Sequence, residues 1–228
     1  MDLRRKLGAE FIGTFFLVFT VGMATKTAGS FAPLAIGAVL MVMVFAGGHV
    51  SGGHYNPAVS TAVLVRGGMP RSDYVPYVAT QLLAGIVAAL VVIALGYDPS
   101  TSIRTAGIGS MLIVEFLFTF ALAYVVLNVV TAKSTEGNSF YGLAIGFTVA
   151  TGIFAVGSIS GGAFNPAVAV GATLMGVFSW SHIWIYILAS LLGGAAAAEA
   201  FLLIEPAEKP SGLRAADPHP HIGSREAA

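Results

Sequence analysis

The sequence contains no cysteine and has few charged residues. Of its 228 residues, 11 are Lys or Arg and 11 are Asp or Glu, so that charged residues make up 10% of the chain and hydrophobic residues 56%. Soluble domains average about 25% charged residues, and this deficit indicates that lipid is the solvent for much of the chain. The absence of cysteine excludes disulfides and thiolate metal sites. A formal net charge of zero argues against nucleic acid as a partner.

Long apolar runs predict how the chain crosses a membrane. A bilayer core about 30 Å thick requires about 20 apolar residues in a helix. Six runs meet this requirement, at residues 7–25, 31–50, 74–96, 108–131, 140–158 and 182–204. Two further stretches, 56–65 and 165–176, are too short to span, and each begins at Asn-Pro, where proline suits the start of a helix. We therefore predict an all-α membrane protein with six transmembrane helices and two re-entrant half-helices.

The basic residues predict the orientation of these helices. If the N-terminus is inside, the outside loops hold only Lys26 and Arg104. The inside segments then hold Arg4, Arg5, Lys6, Arg66, Arg71, Lys133, Lys209, Arg214 and Arg225. The positive-inside rule places both termini of this multi-pass chain in the cytoplasm. Residues 206–228 are rich in Pro, Ala, His and charge, and are predicted to form a disordered cytoplasmic tail.

The two halves of the chain resemble each other. Residues 51–59, SGGHYNPAV, recur as SGGAFNPAV at residues 160–168, with seven of nine positions identical. Each half contains three spanning helices and one half-helix, and because three is odd the second copy crosses the membrane in the opposite direction. We predict one domain over residues 1–228, built from an inverted repeat of residues 1–106 and 107–205. The two half-helices should meet by their N-termini near the membrane midplane.

The segments ahead of the half-helices predict a polar lining. Irregular backbone at membrane depth is tolerated only where it is buried in protein or lines a wet cavity, and glycine allows carbonyls to face such a cavity. The predicted ladder of carbonyl acceptors comprises Gly52, Gly53, His54 and Tyr55 in the first loop and Gly161, Gly162, Ala163 and Phe164 in the second. The asparagine that follows each loop can donate from its side-chain NH₂ group.

The paired Asn-Pro-Ala motifs predict how a solute would pass. A single copy would be an ordinary capped helix, but here two copies stand in matching blocks, Asn56-Pro57-Ala58 and Asn165-Pro166-Ala167. Two facing helix N-termini create a positive potential that repels cations. A neutral solute can exchange hydrogen bonds with the carbonyls and the asparagines. The pattern therefore predicts passive, single-file passage of water or small uncharged solutes that excludes ions and protons.

These motifs, together with residues 9–15 (AEFIGTF), resemble the aquaporin or major intrinsic protein family over residues 3–204. The resemblance implies a homotetramer in the plasma or inner membrane, with one pore in each subunit. It also suggests that Glu10 and Glu115, repeat-related acids inside apolar helices, accept hydrogen bonds from the re-entrant loops. Proton-coupled transport is the rival interpretation of these intramembrane acids.

The resemblance places the outer constriction of the family on four positions, Ile36, Ile153, Gly162 and Val168. Most members have an arginine where Val168 stands, and no polar side chain occupies any of the four positions here. We therefore expect an aliphatic constriction, wider than that of water-only channels, which favours glycerol, urea, ammonia, hydrogen peroxide or neutral metalloid acids. Water flow should be low because donors that replace water's hydrogen bonds are missing. Arg104, in an outer loop, is a candidate to replace the missing arginine.

Two other functions stay open at this point. A secondary transporter also uses inverted repeats and broken helices, but it would be expected to place charged or ion-coordinating groups near the midplane, and only the two glutamates are available. A structural membrane protein with a closed pore is the second alternative. The sequence shows no nucleophile–base pair, metal-ligand cluster or phosphate-binding loop, so we expect no enzymatic activity, no metal and no cofactor.

Overall fold

The computed structural model describes residues 2–96 and 106–209. All regular structure in these residues is helical, and six helices are long and apolar enough to cross a membrane, as predicted. The spanning helices are α1 Leu3–Thr27, α2 Ala32–Ser51, α4 Arg71–Ala94, α5 Ile108–Val126, α6 Tyr141–Ser160 and α8 Ile183–Ile204. The two short stretches form half-length helices, α3 Pro57–Val65 and α7 Pro166–Leu174.

Helix ends differ from the sequence prediction where local chemistry decides them. Helix α1 begins four residues earlier than expected, at Leu3, because the Asp2 side chain accepts a hydrogen bond from the Arg4 backbone N–H at 3.4 Å and caps the helix. Helix α5 ends at Val126, and the rest of its apolar run forms a π-helical turn, Leu127–Thr131. π-helical turns are rare and occur frequently at functional sites.

The helices pair according to the repeat. Helix α1 packs on α4 in the first half as α5 packs on α8 in the second, and α2 packs on α6 between the halves. A Cβ atom added to Gly37 of α2 would lie 2.5 Å from the carbonyl oxygen of Gly146 in α6. Small residues at such a contact allow two helix backbones to approach closely. The interface between the halves therefore depends on glycine at both positions.

Each half-helix rests on a spanning helix of the other half. Helix α3 packs against α8, and α7 packs against α4. A Cβ atom on Gly85 of α4 would lie 2.7 Å from the carbonyl oxygen of Ala167, and one on Gly194 of α8 would overlap the carbonyl oxygen of Ala58. The two glycines therefore set the depth at which the Asn-Pro-Ala motifs lie.

We expect Gly194→Ala to destabilise the protein, because the added methyl group has no room beside the Ala58 carbonyl. Forcing an extra carbon into a packed interior costs about 1–3 kcal/mol. The matched control is Gly109→Ala in α5, where nothing lies within 4 Å of an added Cβ. The midpoint of thermal aggregation in detergent should fall for Gly194→Ala and not for the control. Equal midpoints for the two variants would contradict this account of the packing.

Besides Met1, two parts of the chain lie outside the described residues. They are residues 97–105, which include Arg104, and residues 210–228, which make up most of the predicted tail. The described start of that tail is folded against the helices. Residues Pro206–Glu208 form a 3₁₀ turn, and Glu208 is paired with Arg66 at 2.9 Å.

Candidate functional site

The two re-entrant loops have the same unusual backbone. Six residues have positive φ angles, which are 92° at Gly52, 64° at Gly53, 49° at Tyr55, 95° at Gly161, 72° at Gly162 and 48° at Phe164. Glycine adopts this region readily, whereas a residue with a Cβ atom does so at an energetic cost. Tyr55 and Phe164 must therefore be held in place by their surroundings.

Glu10 holds the first loop. This buried carboxylate accepts hydrogen bonds at Oε1 from the Ser51 hydroxyl at 2.7 Å and from the His54 backbone N–H at 3.0 Å. Its Oε2 accepts from the Tyr55 backbone N–H at 2.7 Å and from the Gln81 amide at 2.8 Å. Four donors surround the Glu10 carboxylate. One of them is the backbone N–H of Tyr55, the residue of this loop that has a Cβ atom and a positive φ angle.

Glu115 makes the corresponding bonds in the second loop. It accepts from the Ser160 hydroxyl at 2.6 Å, the Ala163 N–H at 3.0 Å and the Phe164 N–H at 2.7 Å. The position of Gln81 is taken by Ser190, whose buried hydroxyl has no hydrogen-bond partner among the described residues. Both acids therefore accept hydrogen bonds from the loops, and the first is bonded more extensively than the second.

We expect Glu10→Gln to lower thermal stability and yield more than it lowers solute flux through each folded channel. The amide NH₂ group would face donors, and a buried N–H left without an acceptor costs about 1–3 kcal/mol. Glu199→Gln is the matched control, because Glu199 is exposed on α8. Denaturation midpoints and permeability per channel should be measured on the same preparations. A stable Glu10→Gln protein with altered proton coupling would show instead that Glu10 carries protons.

The two asparagines tie the loops to each other. Asn56 accepts from the Ala58 backbone N–H at 2.8 Å and donates to the Phe164 carbonyl at 2.9 Å. Asn165 accepts from the Ala167 N–H at 2.9 Å and donates to the Tyr55 carbonyl at 2.9 Å. Each side chain therefore caps its own half-helix and bonds to the opposite loop. One N–H of each amide is left to meet a solute.

These bonds shorten the predicted carbonyl ladder. The Tyr55 and Phe164 carbonyls already accept from the asparagines. The other six carbonyls of the predicted ladder accept no hydrogen bond from the described part of the chain. They are those of Gly52, Gly53, His54, Gly161, Gly162 and Ala163. Neither Gly53 nor Phe164 is among the residues that line the cavities described below. The sequence could not show that the Tyr55 and Phe164 carbonyls are occupied, because a glycine-rich loop does not reveal which carbonyls find partners within the protein.

A cavity of about 460 Å³ lies between the loops and the helices. Both asparagines line it, as do the four positions of the predicted constriction, Ile36, Ile153, Gly162 and Val168. Much of the remaining wall is aliphatic, with Leu17, Val21, Leu40, Val59, Leu122, Val126, Ile145 and Val149. The cavity therefore has largely aliphatic walls, with polar groups at the two asparagines, at Thr25, Ser30 and His54, and along the second loop.

Phe178 lines the same cavity and was not predicted from the sequence. Its ring stacks on Tyr186 with the ring centres 4.6 Å apart. It also occupies the space that a Cβ atom on Gly161 would need. Phe178 lies in the connection between α7 and α8, four residues beyond the end of α7. An aromatic residue in such a connection carries no sequence signal that distinguishes a pore wall from a surface anchor.

Two further cavities lie beyond the first one, on the side of His54 and Val126. One of about 150 Å³ shares His54 and Val126 with the first cavity. The other, of about 510 Å³, shares Gly52, Val130 and Thr131 with the small one. The His54 ring nitrogen Nδ1 lies 3.0 Å from the Ser60 hydroxyl, which fixes the ring. The three spaces thus follow one another through the helix bundle, and His54 and Val126 stand between the first two.

Comparison with known proteins agrees with this geometry. The profile of the family described as "Major intrinsic protein" matches residues 1–201. The chain belongs to the major intrinsic protein family. Over 85% of its length it is 39% identical to "Glycerol uptake facilitator protein-like 6" of Lactiplantibacillus plantarum, of which the match covers 95%.

Other members of the major intrinsic protein family show a similar level of identity. "Aquaporin NIP1-3" of Oryza sativa subsp. japonica is 37% identical over 92% of this chain and 77% of its own length. "Probable aquaporin TIP4-1" of the same plant is 37% identical over 90% of each chain. The crystal structure of the aquaglyceroporin from Plasmodium falciparum has the same fold, with a TM-score of 0.76, 21% identity and coverage of 91% of this chain and 99% of the other.

The family and the fold together establish the class of function. The chain is a passive transmembrane channel for water and small solutes. The secondary transporter and the closed structural protein, which the sequence alone left open, are not favoured by these relatives.

Proposed function

We propose that this channel passes small uncharged solutes larger than water, together with water. The observation that carries the proposal is the chemistry of four residues around the first cavity, Ile36, Ile153, Gly162 and Val168. Three of them are aliphatic and the fourth has no side chain. Such a ring lacks donors that would replace the hydrogen bonds of water. It also leaves open the space that an arginine side chain would fill.

The candidate solutes are glycerol, urea, ammonia, hydrogen peroxide and neutral metalloid acids. Glycerol is the first to test, because its carbon backbone can contact the aliphatic wall while its hydroxyls meet the asparagine amides and the loop carbonyls. The name of one relative, a protein similar to glycerol uptake facilitators, supports the same choice. Water flow should be low relative to a channel with a polar constriction.

We also propose that the midplane excludes ions and protons. The N-termini of α3 and α7 point at the two asparagines, whose oxygens accept from the first backbone N–H groups of each helix. The positive ends of two helix dipoles disfavour a cation that has lost its water. The amide N–H groups donate to a passing solute and so break a continuous proton wire.

The setting of the channel is proposed on related grounds. The described ends of α1, α3, α4 and α8 and the segment after α5 bring basic residues to one face of the bundle, Arg4, Arg5, Lys6, Arg66, Arg71, Lys133 and Lys209. The positive-inside rule makes this face cytoplasmic, with both termini on it. We propose a homotetramer in the cell membrane, without enzymatic activity, in which exposed apolar side chains such as Phe147 and Leu192 meet lipid or a neighbouring copy.

Stopped-flow measurement on proteoliposomes tests the proposed function. Water, glycerol, urea, ammonia and hydrogen peroxide should be compared in parallel, with matched protein content and empty liposomes as the control. We expect non-saturating flux of at least one solute larger than water, without any ion gradient. Flux of water alone would overturn the proposed substrate class. A strict requirement for a sodium or proton gradient would overturn the passive mechanism.

A further inference from the structure

Three distant segments meet at the guanidinium group of Arg66. Arg66 is the C-cap of half-helix α3, and its Nη2 donates to the Thr131 carbonyl at 2.7 Å and to Glu208 Oε2 at 2.9 Å. The other oxygen of Glu208 accepts from the Lys133 backbone N–H at 2.8 Å. The Glu208 carboxylate therefore joins the end of α3, the segment after α5 and the turn that follows α8.

This cluster is well shielded from solvent. The side chains of Arg66 and Glu208 are only 14% and 9% exposed. The guanidinium carbon lies 5.4 Å from the centre of the Phe201 ring, which covers it from the side of α8. A charged pair that is largely withdrawn from water is screened less than a surface pair, and its removal leaves buried groups without partners.

The cluster bears directly on one mouth of the pore. The cavity of about 510 Å³, here called the vestibule, is lined by Thr131, Ala132, Lys133, Thr135, Glu136, Gly137 and Asn138. Its other wall includes Gly52, where the first re-entrant loop begins. Segment 132–140 therefore forms one side of the vestibule, and Glu208 bonds to the backbone near its start.

Hydrogen bonds to the preceding π-helical turn, and one within the segment, secure its far end. Asn138 donates from its side chain to the Val129 and Thr135 carbonyls, both at 2.7 Å. The Thr135 hydroxyl donates to the Asn128 carbonyl. The start of the segment follows a π-helical turn, whose last carbonyl, that of Thr131, is bound by Arg66. Arg66 and Glu208 thus tie the near end to α3 and to the turn after α8, while the far end is bonded to Asn128 and Val129 of the π-helical turn.

The opposite mouth is built differently. In the second half, the residue that corresponds to Arg66 is Met175, the C-cap of α7, which is buried and uncharged. A Cβ atom on Gly22 would lie 2.5 Å from the Met175 sulfur. Apolar packing therefore holds the end of α7, whereas a charged pair holds the end of α3 at the vestibule. The repeat does not require Arg66, which points to a function at this mouth alone.

We propose that Glu208 is a positioning residue for the vestibule. By bonding to Arg66 and to the Lys133 N–H, it keeps segment 132–140 against the bundle and away from the path of the solute. Loss of its carboxylate releases the near end of the segment, which then enters the vestibule. Solute entry falls at this mouth, while the constriction at Val168 keeps its selectivity. Glu208 lies in the turn after the last spanning helix, and through segment 132–140 it controls access to the pore.

The absence of native cysteine provides a direct test of segment release. Ala132 is buried, and Ala132→Cys introduces the single thiol of the chain at the near end of the segment. Loss of a charge-assisted bond allows the released state to rise about tenfold, and the reaction rate of this thiol with a soluble maleimide should rise with it. The comparison is between Ala132→Cys alone and Ala132→Cys with Glu208→Ala. Glu205→Ala is the matched control, since the Glu205 side chain makes no hydrogen bond or ion pair with the described residues.

Permeability is measured on the same variants without the added cysteine. We expect Glu208→Ala to lower water and solute permeability by the same factor, about twofold if half of the channels are obstructed, with an unchanged ratio between solutes. Glu208→Gln keeps an acceptor for Lys133 and should lie between wild type and Glu208→Ala. It also serves if the alanine variant does not fold. An unchanged thiol rate, or a faster rate with normal permeability, would overturn the proposal. The thiol rate is informative even if the substrate class proposed above is wrong.

Discussion

Replacing Val168 with arginine should cut glycerol and urea permeability about tenfold or more, which corresponds to an added barrier of about 1.4 kcal/mol. Val168 lies on the first turn of α7, and its backbone N–H is 3.4 Å from Asn165 Oδ1. A guanidinium group there adds volume, several donors and a fixed positive charge. Ile36, Ile153 and Gly162 line the same cavity as Val168, so a longer side chain at this position takes up space that a solute would use.

The measurement is the ratio of water to glycerol permeability in matched liposomes. We expect the ratio to rise, because the arginine supplies donors to water while it narrows the passage for larger solutes. Val168→Leu is the control for width alone, since it adds volume without donors or charge. If the ratio stays the same while both fluxes are readily measurable, Val168 does not line the constriction, and the assignment of the four positions is wrong.

The second large effect is expected for Asn165→Asp. The carboxylate loses the NH₂ group that donates to the Tyr55 carbonyl, and it places two oxygens 2.9 Å apart where a hydrogen bond now lies. Neutral-solute flux should fall about tenfold or more, as expected when a buried carbonyl is left without its donor. The negative charge also opposes the positive helix ends at the midplane, so exclusion of cations should weaken.

Solute flux and cation leak should be followed in the same vesicles, with a potential-sensitive dye for the leak. Asn165→Ala separates the two effects, because it removes the donor and adds no charge. It should reduce solute flux without admitting cations. Normal flux and normal ion exclusion in a correctly assembled Asn165→Asp protein would show that this asparagine is only structural.

Much of the fold could be predicted from apolar length alone. A run of about 20 apolar residues has few alternatives to spanning a bilayer, and the duplicated Asn-Pro-Ala blocks located both half-helices. The π-helical turn at Leu127–Thr131 could not be predicted, because its apolar residues suit an α-helix equally well. The pairing of Arg66 with Glu208 joins residues 142 positions apart, and no local pattern indicates it.

The hydrogen bonds of the candidate site were only partly predictable from the sequence. The repeat indicated that Glu10 and Glu115 occupy equivalent places, and the resemblance suggested bonds to the loops. The repeat did not indicate that Gln81 donates to Glu10, because the corresponding residue of the second half is Ser190. The crosswise bonds of Asn56 and Asn165 were also missed. An asparagine beside a helix start predicts a cap, whereas its second bond depends on the other half of the chain.

The crosswise bonds have a consequence for how the protein is made. The Asn56 amide donates to a carbonyl 108 positions further along the chain, so during synthesis the first re-entrant loop must wait for most of the second half to emerge. Until then the Asn56 amide and the Tyr55 carbonyl lack their partners in the second half, Phe164 and Asn165. The first half thus leaves the ribosome as an incomplete intermediate, and the two loops mature together in one late step. Truncation after α5 should leave a product that the quality-control proteases of the membrane remove.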